Sequence, residues 1–134
     1  MQALIYISTA SALPTHSVVG DILATAHRNN PQFGLTGMLL WKDMAFAQLL
    51  EGPSESLDSL WRTLSADDRH EEVRLLSRWD IPERFFGDWS MCSHRLSARQ
   101  HWELLERPPG ESDETFACWL LYLMNEAHRS APLA

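Results

Sequence analysis

Gly34-Leu35-Thr36-Gly37-Met38-Leu39-Leu40-Trp41-Lys42-Asp43-Met44-Ala45-Phe46-Ala47-Gln48-Leu49-Leu50 consists of two apolar runs separated by a short polar break. The runs Gly34 to Trp41 and Ala45 to Leu50 predict two strands, and Lys42-Asp43-Met44 a tight turn, so the stretch is an antiparallel hairpin. Upstream, Ala3-Leu4-Ile5-Tyr6-Ile7 is a short β-rich run ended by Ser8-Thr9-Ala10-Ser11, which reads as a buried first strand. Between it and the hairpin, Val18 or Val19, Ile22, Leu23 and Ala26 share one helical face. That helix is expected to end at Asn29-Asn30-Pro31, because proline biases its predecessor away from helical dihedrals. Downstream, Gly52-Pro53 punctuates the chain, with the proline suited to a first helical turn. Leu57, Leu60, Trp61 and Leu64 then mark a second amphipathic helix. Asp67 to His70 reads as a polar loop, Val73 to Trp79 as a fourth strand, and Phe85 to Met91 as the lead into a shorter, irregular fifth.

The order β-α-β-β-α-β-β predicts an α+β ferredoxin-like sandwich, a mixed sheet of about five strands with both helices on one face. A C-terminal helical pair follows: a short polar helix at Ser97 to Glu106, a Pro-Gly loop at Arg107 to Glu111, and an apolar helix at Thr115 to Ala127. In the last, Phe116, Trp119, Leu120, Leu123 and Met124 form one stripe, which Cys118, Leu121 and Tyr122 widen. Residues 1–95 are read as one domain and residues 96–134 as a helical cap over the open side of the sheet, with self-association expected as well.

The 134 residues amount to one domain, and 45% hydrophobic with 22% charged residues is ordinary globular usage. The net charge is -7, and Lys42 is the only lysine. An acidic chain without a basic stripe releases few phosphate counterions, which argues against nucleic acid as a direct ligand and against an anionic membrane surface. No apolar run approaches the roughly 18 residues of a membrane span. Nothing at Met1 to Ile7 resembles a leader, so the expected compartment is the cytoplasm, with Cys92 and Cys118 reduced. His16, His27, His70, His94, His101 and His128 fall in different elements without metal-ligand spacing, so no metal is expected.

Gln48 is the most informative residue. Strand alternation puts it on the face of Phe46 and Leu50, where an amide without partners costs about 1–3 kcal/mol per group. A core glutamine satisfied by backbone is the plain alternative. Tyr6, among Leu4, Ile5 and Ile7, raises the same question, since a buried phenol wants a hydrogen-bond partner. Asn29-Asn30 reads either as a helix cap or as a pair of amides projected off the helix end. Together, Tyr, Gln and Asn form an uncharged hydrogen-bonding kit with no general base, better suited to holding a polar ring than to hydrolysing a bond.

Six blocks, in order and at matching spacing across about residues 1–95, make this sequence similar to the BLUF family of flavin-binding blue-light sensors. They are Leu4-Ile5-Tyr6-Ile7-Ser8, Arg28-Asn29-Asn30, Gly34-Leu35-Thr36-Gly37-Met38-Leu39-Leu40, Phe46-Ala47-Gln48-Leu49-Leu50-Glu51-Gly52, Asp67-Asp68-Arg69-His70 and Arg84-Phe85-Phe86-Gly87-Asp88-Trp89-Ser90-Met91. The resemblance implies a non-covalent flavin, usually FAD with FMN as the other choice, lying between the two helices. It implies that Tyr6 donates an electron and then a proton to the photoexcited flavin, with Gln48 between Tyr6 and the ring. Asn30 would bond the C4=O/N3–H side, with Asn29 supporting it. Ile22 and Leu64 would sandwich the ring faces, and Arg69 and His70 would lie near the ribityl phosphates. Trp89 and Met91 would occupy the strand that relays the signal. The implied switch is a rearranged Gln48 amide, with no substrate turned over. Lacking an output domain, the chain is expected to be a sensor and not an enzyme, acting through a separate effector protein or through self-assembly. The turn at Lys42-Asp43-Met44 departs from the family in lacking glycine, for which only a local change is expected. The alternative reading is a ferredoxin-like small-ligand module or a flavin-dependent oxidoreductase.

Overall fold

All eight residues of the strand Ala45–Gly52 are buried, which a sheet can achieve only where both faces are covered. In the computed structural model, which describes residues 1–10, 15–42, 44–67, 70–87, 92–95 and 112–130, that strand is the centre of the molecule. The elements are β1 (Gln2–Ala10), α1 (Thr15–Phe33), β2 (Thr36–Lys42), β3 (Ala45–Gly52), α2 (Ser54–Ser65), β4 (His70–Asp80), β5 (Cys92–Arg95) and α3 (Asp113–Ser130). The sheet order is β4-β1-β3-β2-β5. Four strands pair antiparallel, and β5 runs parallel to β2 on the far edge.

Side-chain alternation sorts the interior into two layers. Leu4, Tyr6, Leu39, Phe46 and Leu50 pack with Val19, Ile22, Ala26, Leu57 and Leu64, so α1 and α2 share one face. Ala3, Ile5, Met38, Leu40, Ala47 and Leu49 point the other way, against Phe116, Leu120, Leu123 and Met124 of α3. The last helix thus covers the open side of the sheet. Its buried stripe is narrower than the sequence suggests, because Cys118 and Tyr122 are exposed.

Three boundaries differ from expectation, each for a local physical reason. First, α1 does not stop at Asn29-Asn30-Pro31 but carries Pro31 inside its last turn and ends at Phe33. Proline removes one donor, and so near the helix end one bond; what closes the helix is Gly34, at φ 68. The Leu35 amide donates to Asn30 O at 2.9 Å and the Gly34 amide to Pro31 O at 3.4 Å, the paired bonds of a Schellman cap. Second, Pro53 is the N-cap of α2, one residue ahead of the first turn. Third, β4 begins at His70, not Val73. Its polar start is solvated on an edge strand and distorted by register shifts, with Glu72 at φ 55. Phe85 to Gly87 is irregular, as expected of a lead into the last strand, and β5 follows at Cys92–Arg95. The amides of Phe85 and Phe86 donate to the Glu51 carboxylate at 2.8 and 2.7 Å, so they are not available to a strand ladder. The expected polar helix at Ser97 to Glu106 and the loop after it lie outside the described residues. No helix among the described residues is long and apolar enough to cross a membrane.

Candidate functional site

Tyr6 of β1 and Gln48 of β3 are direct cross-strand partners, and both point toward α1 and α2. At 1% and 3% exposure neither can rely on water. The Tyr6 hydroxyl donates to Gln48 Oε1, so the two buried polar groups answer each other. Trp61 of α2 packs against the Tyr6 ring in a T-shaped contact, with centroids 5.7 Å apart.

Above Gln48 the two helices leave a cleft of about 70 Å³, smaller than the roughly 300–1,000 Å³ of sites that bury a small molecule, so a planar ligand would part the helices further on entering. Ile22, Thr25, Ala26, Asn29 and Asn30 form the α1 wall; Leu60, Thr63, Leu64 and the following Asp67 form the α2 wall; Gln48 and Leu50 are its floor. On α1 the lining residues recur at three and four positions, one face of the helix. Asn30 is 3% exposed, so its polar side chain is held inside the protein and not offered to solvent. Among the described residues, Asp67 is the only ionisable one that lines it. Aliphatic side chains on both walls, with primary amides at the floor and at one end, have the chemistry to hold a flat uncharged heterocycle carrying carbonyl and N–H groups.

The structure therefore brings Ile22, Asn29, Asn30, Gln48 and Leu64 into one cleft, with Tyr6 joined to it through Gln48. The cap role weighed for the asparagines belongs to Gly34. Arg69, Trp89 and Met91 lie outside the described residues, and His70 is placed only as the first residue of β4. Thr25, Thr63 and Asp67 were not anticipated, although Thr25 lies three residues after Ile22 and four before Asn29, spacing that marks the same face. Also unanticipated is a polar cluster beside the site, built on Glu51 and Arg84. A charge interrupting the apolar run of β3 was its sequence signal. No group of three or more His, Cys, Asp or Glu side chains among the described residues is arranged to hold a metal ion.

Comparison with known proteins agrees with this geometry. The family model described as "BLUF: Sensors of blue-light using FAD" matches residues 1–92. The photoactivated adenylate cyclase subunit alpha of Euglena gracilis is 35% identical over 94 residues, 68% of this chain and 9% of that protein. The blue light- and temperature-regulated antirepressor BluF of Escherichia coli (strain K12) is 36% identical over 88 residues, 66% of this chain and 22% of that protein. The chain thus spans less than a quarter of either relative. Among solved structures, BlsA in its photo-activated state superposes with a TM-score of 0.75 at 26% identity, covering 100% of this chain and 99% of that one. The dark-state structure of BlrB, a BLUF protein, gives 0.68 at 28% identity, covering 96% and 92%. With more than half of its residues inside the family model, the chain belongs to the BLUF family, the flavin-binding sensors of blue light.

Proposed function

We propose that this chain is a blue-light receptor whose working parts are Tyr6 and Gln48 and whose cofactor lies in the cleft between α1 and α2. The observation that carries the reading is the Tyr6 hydroxyl donating to Gln48 Oε1 at the cleft floor. The donor set fits a flavin: amides for its carbonyl and N–H edge and aliphatic side chains for its faces. When bound, the flavin supplies blue-light absorption and an excited state that accepts an electron.

The chain's own residues do the rest. Ile22 and Leu64 enclose the ring and exclude water, and Asn30, supported by Asn29, orients its polar edge. Tyr6 gives up an electron and then its hydroxyl proton, and recovers both. Gln48, released from the phenol in the interval, turns its amide so that its donor and acceptor ends exchange. A hydrogen bond of this kind is worth on the order of 1 kcal/mol, so the switch acts on a finely balanced structure. Arg69 and His70 are assigned to the phosphate end, where cations suit the charge, and FAD is favoured over FMN. Trp89 and Met91 are assigned to the relay. The ferredoxin-like reading draws support from the sheet order and the shared face of α1 and α2. Residues 1–95 serve as the sensor and residues 96–134 as its cap, passing the signal in the cytoplasm to a separate effector protein, with the chain self-associating.

The test is a spectrum. Protein loaded with flavin should shift its absorption to the red under blue light and return in darkness, and Tyr6→Phe and Gln48→Leu should each abolish the shift while retaining flavin. An unchanged spectrum, or bleaching by NAD(P)H in place of a photocycle, overturns the reading.

A further inference from the structure

Glu51 is fully buried, and a buried carboxylate is tolerated only where its oxygens are met by donors. Thr36 Oγ1 donates to Oε1 at 2.9 Å, and the Phe86 and Phe85 amides donate to Oε1 and Oε2. Arg84 lies on the same group of atoms. Its Nη1 donates to Thr36 Oγ1 at 2.9 Å and to the Glu51 carbonyl at 3.0 Å, and its Nη2 to the Gly34 carbonyl at 2.6 Å. None of these side chains lines the cleft.

One wall of the cleft and its floor nevertheless end here. Gly34 and Thr36, two of the three residues Arg84 bonds, flank Leu35, whose amide closes α1 on the Asn30 carbonyl. Glu51 is three residues beyond Gln48 on β3. The two segments also touch through backbone: a Cβ at Gly52 would stand 2.7 Å from Gly34 O and 2.8 Å from Leu35 Cδ2. The end of the helix bearing Asn30 and the end of the strand bearing Gln48 are thus tied by one guanidinium and one carboxylate.

We propose that Arg84 and Glu51 are positioning residues that set the spacing between Asn30 and Gln48, and so decide whether one planar ligand is hydrogen-bonded from helix and strand at once. The proposal rests on the flavin reading and extends it to residues outside the cleft. Arg84 acts through Leu35 and the α1 cap, and Glu51 through the strand end.

Two variants test it. Arg84→Met keeps the stem and removes the donors, and Thr36→Val removes the bridging hydroxyl at constant shape, with Thr36→Ser as the conservative rescue. Without flavin, hydrogen exchange at the Leu35 amide should quicken about tenfold in Arg84→Met and Thr36→Val, as the cap opens locally. With flavin, affinity should fall about tenfold and the infrared band of the bound flavin C4=O should move, since a charge-assisted bond is lost. Thr36→Ser should behave as wild type in all three measurements. A merely structural role lowers the unfolding midpoint and leaves the infrared band in place, which would overturn the proposal. Should Arg84→Met fail to fold, Thr36→Val and Thr36→Ser decide alone. Wild-type protein that photocycles normally, beside variants with unchanged exchange, affinity and band, sinks the positioning role only. Wild-type protein that takes up no flavin sinks this proposal and the function it rests on.

Discussion

The two faces of the sheet are built from the same strands and hold different interiors. Against α3, Ile5, Met38, Leu40 and Leu49 meet Phe116, Leu120, Leu123 and Met124 in a layer of apolar side chains. Against α1 and α2, the matching layer is interrupted by Tyr6, Gln48 and Asn30, and the helices stand apart around a cleft. At the centre of the α3 face close packing maximises dispersion, and space remains only beside β4, where a hollow of about 360 Å³ is lined by Arg78, Trp79, Ala117, Cys118 and Leu121 among others. Polar groups in a cleft forgo part of that gain, which a ligand can restore, since whatever binds only the folded state stabilises it. One face is the foundation and the other is the instrument.

Substitutions can break this contrast or sharpen it. The largest effect belongs to the packed face: Leu120→Ala, fully buried on α3, should cost about 2–5 kcal/mol in urea unfolding and leave flavin binding intact. A loss below about 1 kcal/mol would mean that this face is not the foundation. On the other face, Gln48→Leu should cost about 1–3 kcal/mol in flavin-free protein, because the Tyr6 hydroxyl loses its acceptor. Adding Tyr6→Phe should recover most of that, since removing both partners is nearly neutral, and a double-mutant cycle measures the coupling. Additive losses would show that the two groups do not depend on each other. The smallest effect should come from Arg74→Ala. Its ion pair with Asp113 is short, at 2.7 Å, but 53% and 33% exposed, so about 1 kcal/mol or less is expected in the same unfolding measurement.

Much of this contrast was legible in the sequence because it is periodic. The alternation in Ala45 to Leu50 and the helical spacing of Ile22 and Ala26, or of Leu57 and Leu64, are statements about which side a residue faces, and those survive folding. Boundaries were less legible, since they depend on contacts far along the chain. Pro31 looked like a stop because local dihedral preference was all the sequence offered, while the true stop required Gly34 to turn back over Asn30. Phe85 and Phe86 read only as a lead into the last strand, and nothing nearby told that Glu51, thirty-four and thirty-five residues earlier, holds their amides. The cleft residues with short polar side chains, Thr25 and Thr63, were passed over for a different reason: spacing gives a threonine's face, as it does for Thr25, but a threonine on a helix announces no role. Their place became evident only when two helices were set side by side.

The cross-strand pairing of Tyr6 with Gln48 carries a consequence for how such a protein can change over generations. The phenol meets the amide because both occupy the same parity of two neighbouring ladders, and parity is indifferent to most substitutions. A single codon gained or lost within β1 or β3 is another matter: it would turn one partner toward α3 and leave the other facing the cleft. Mutation can therefore rewrite the letters around this pair with some freedom, but it cannot edit their count.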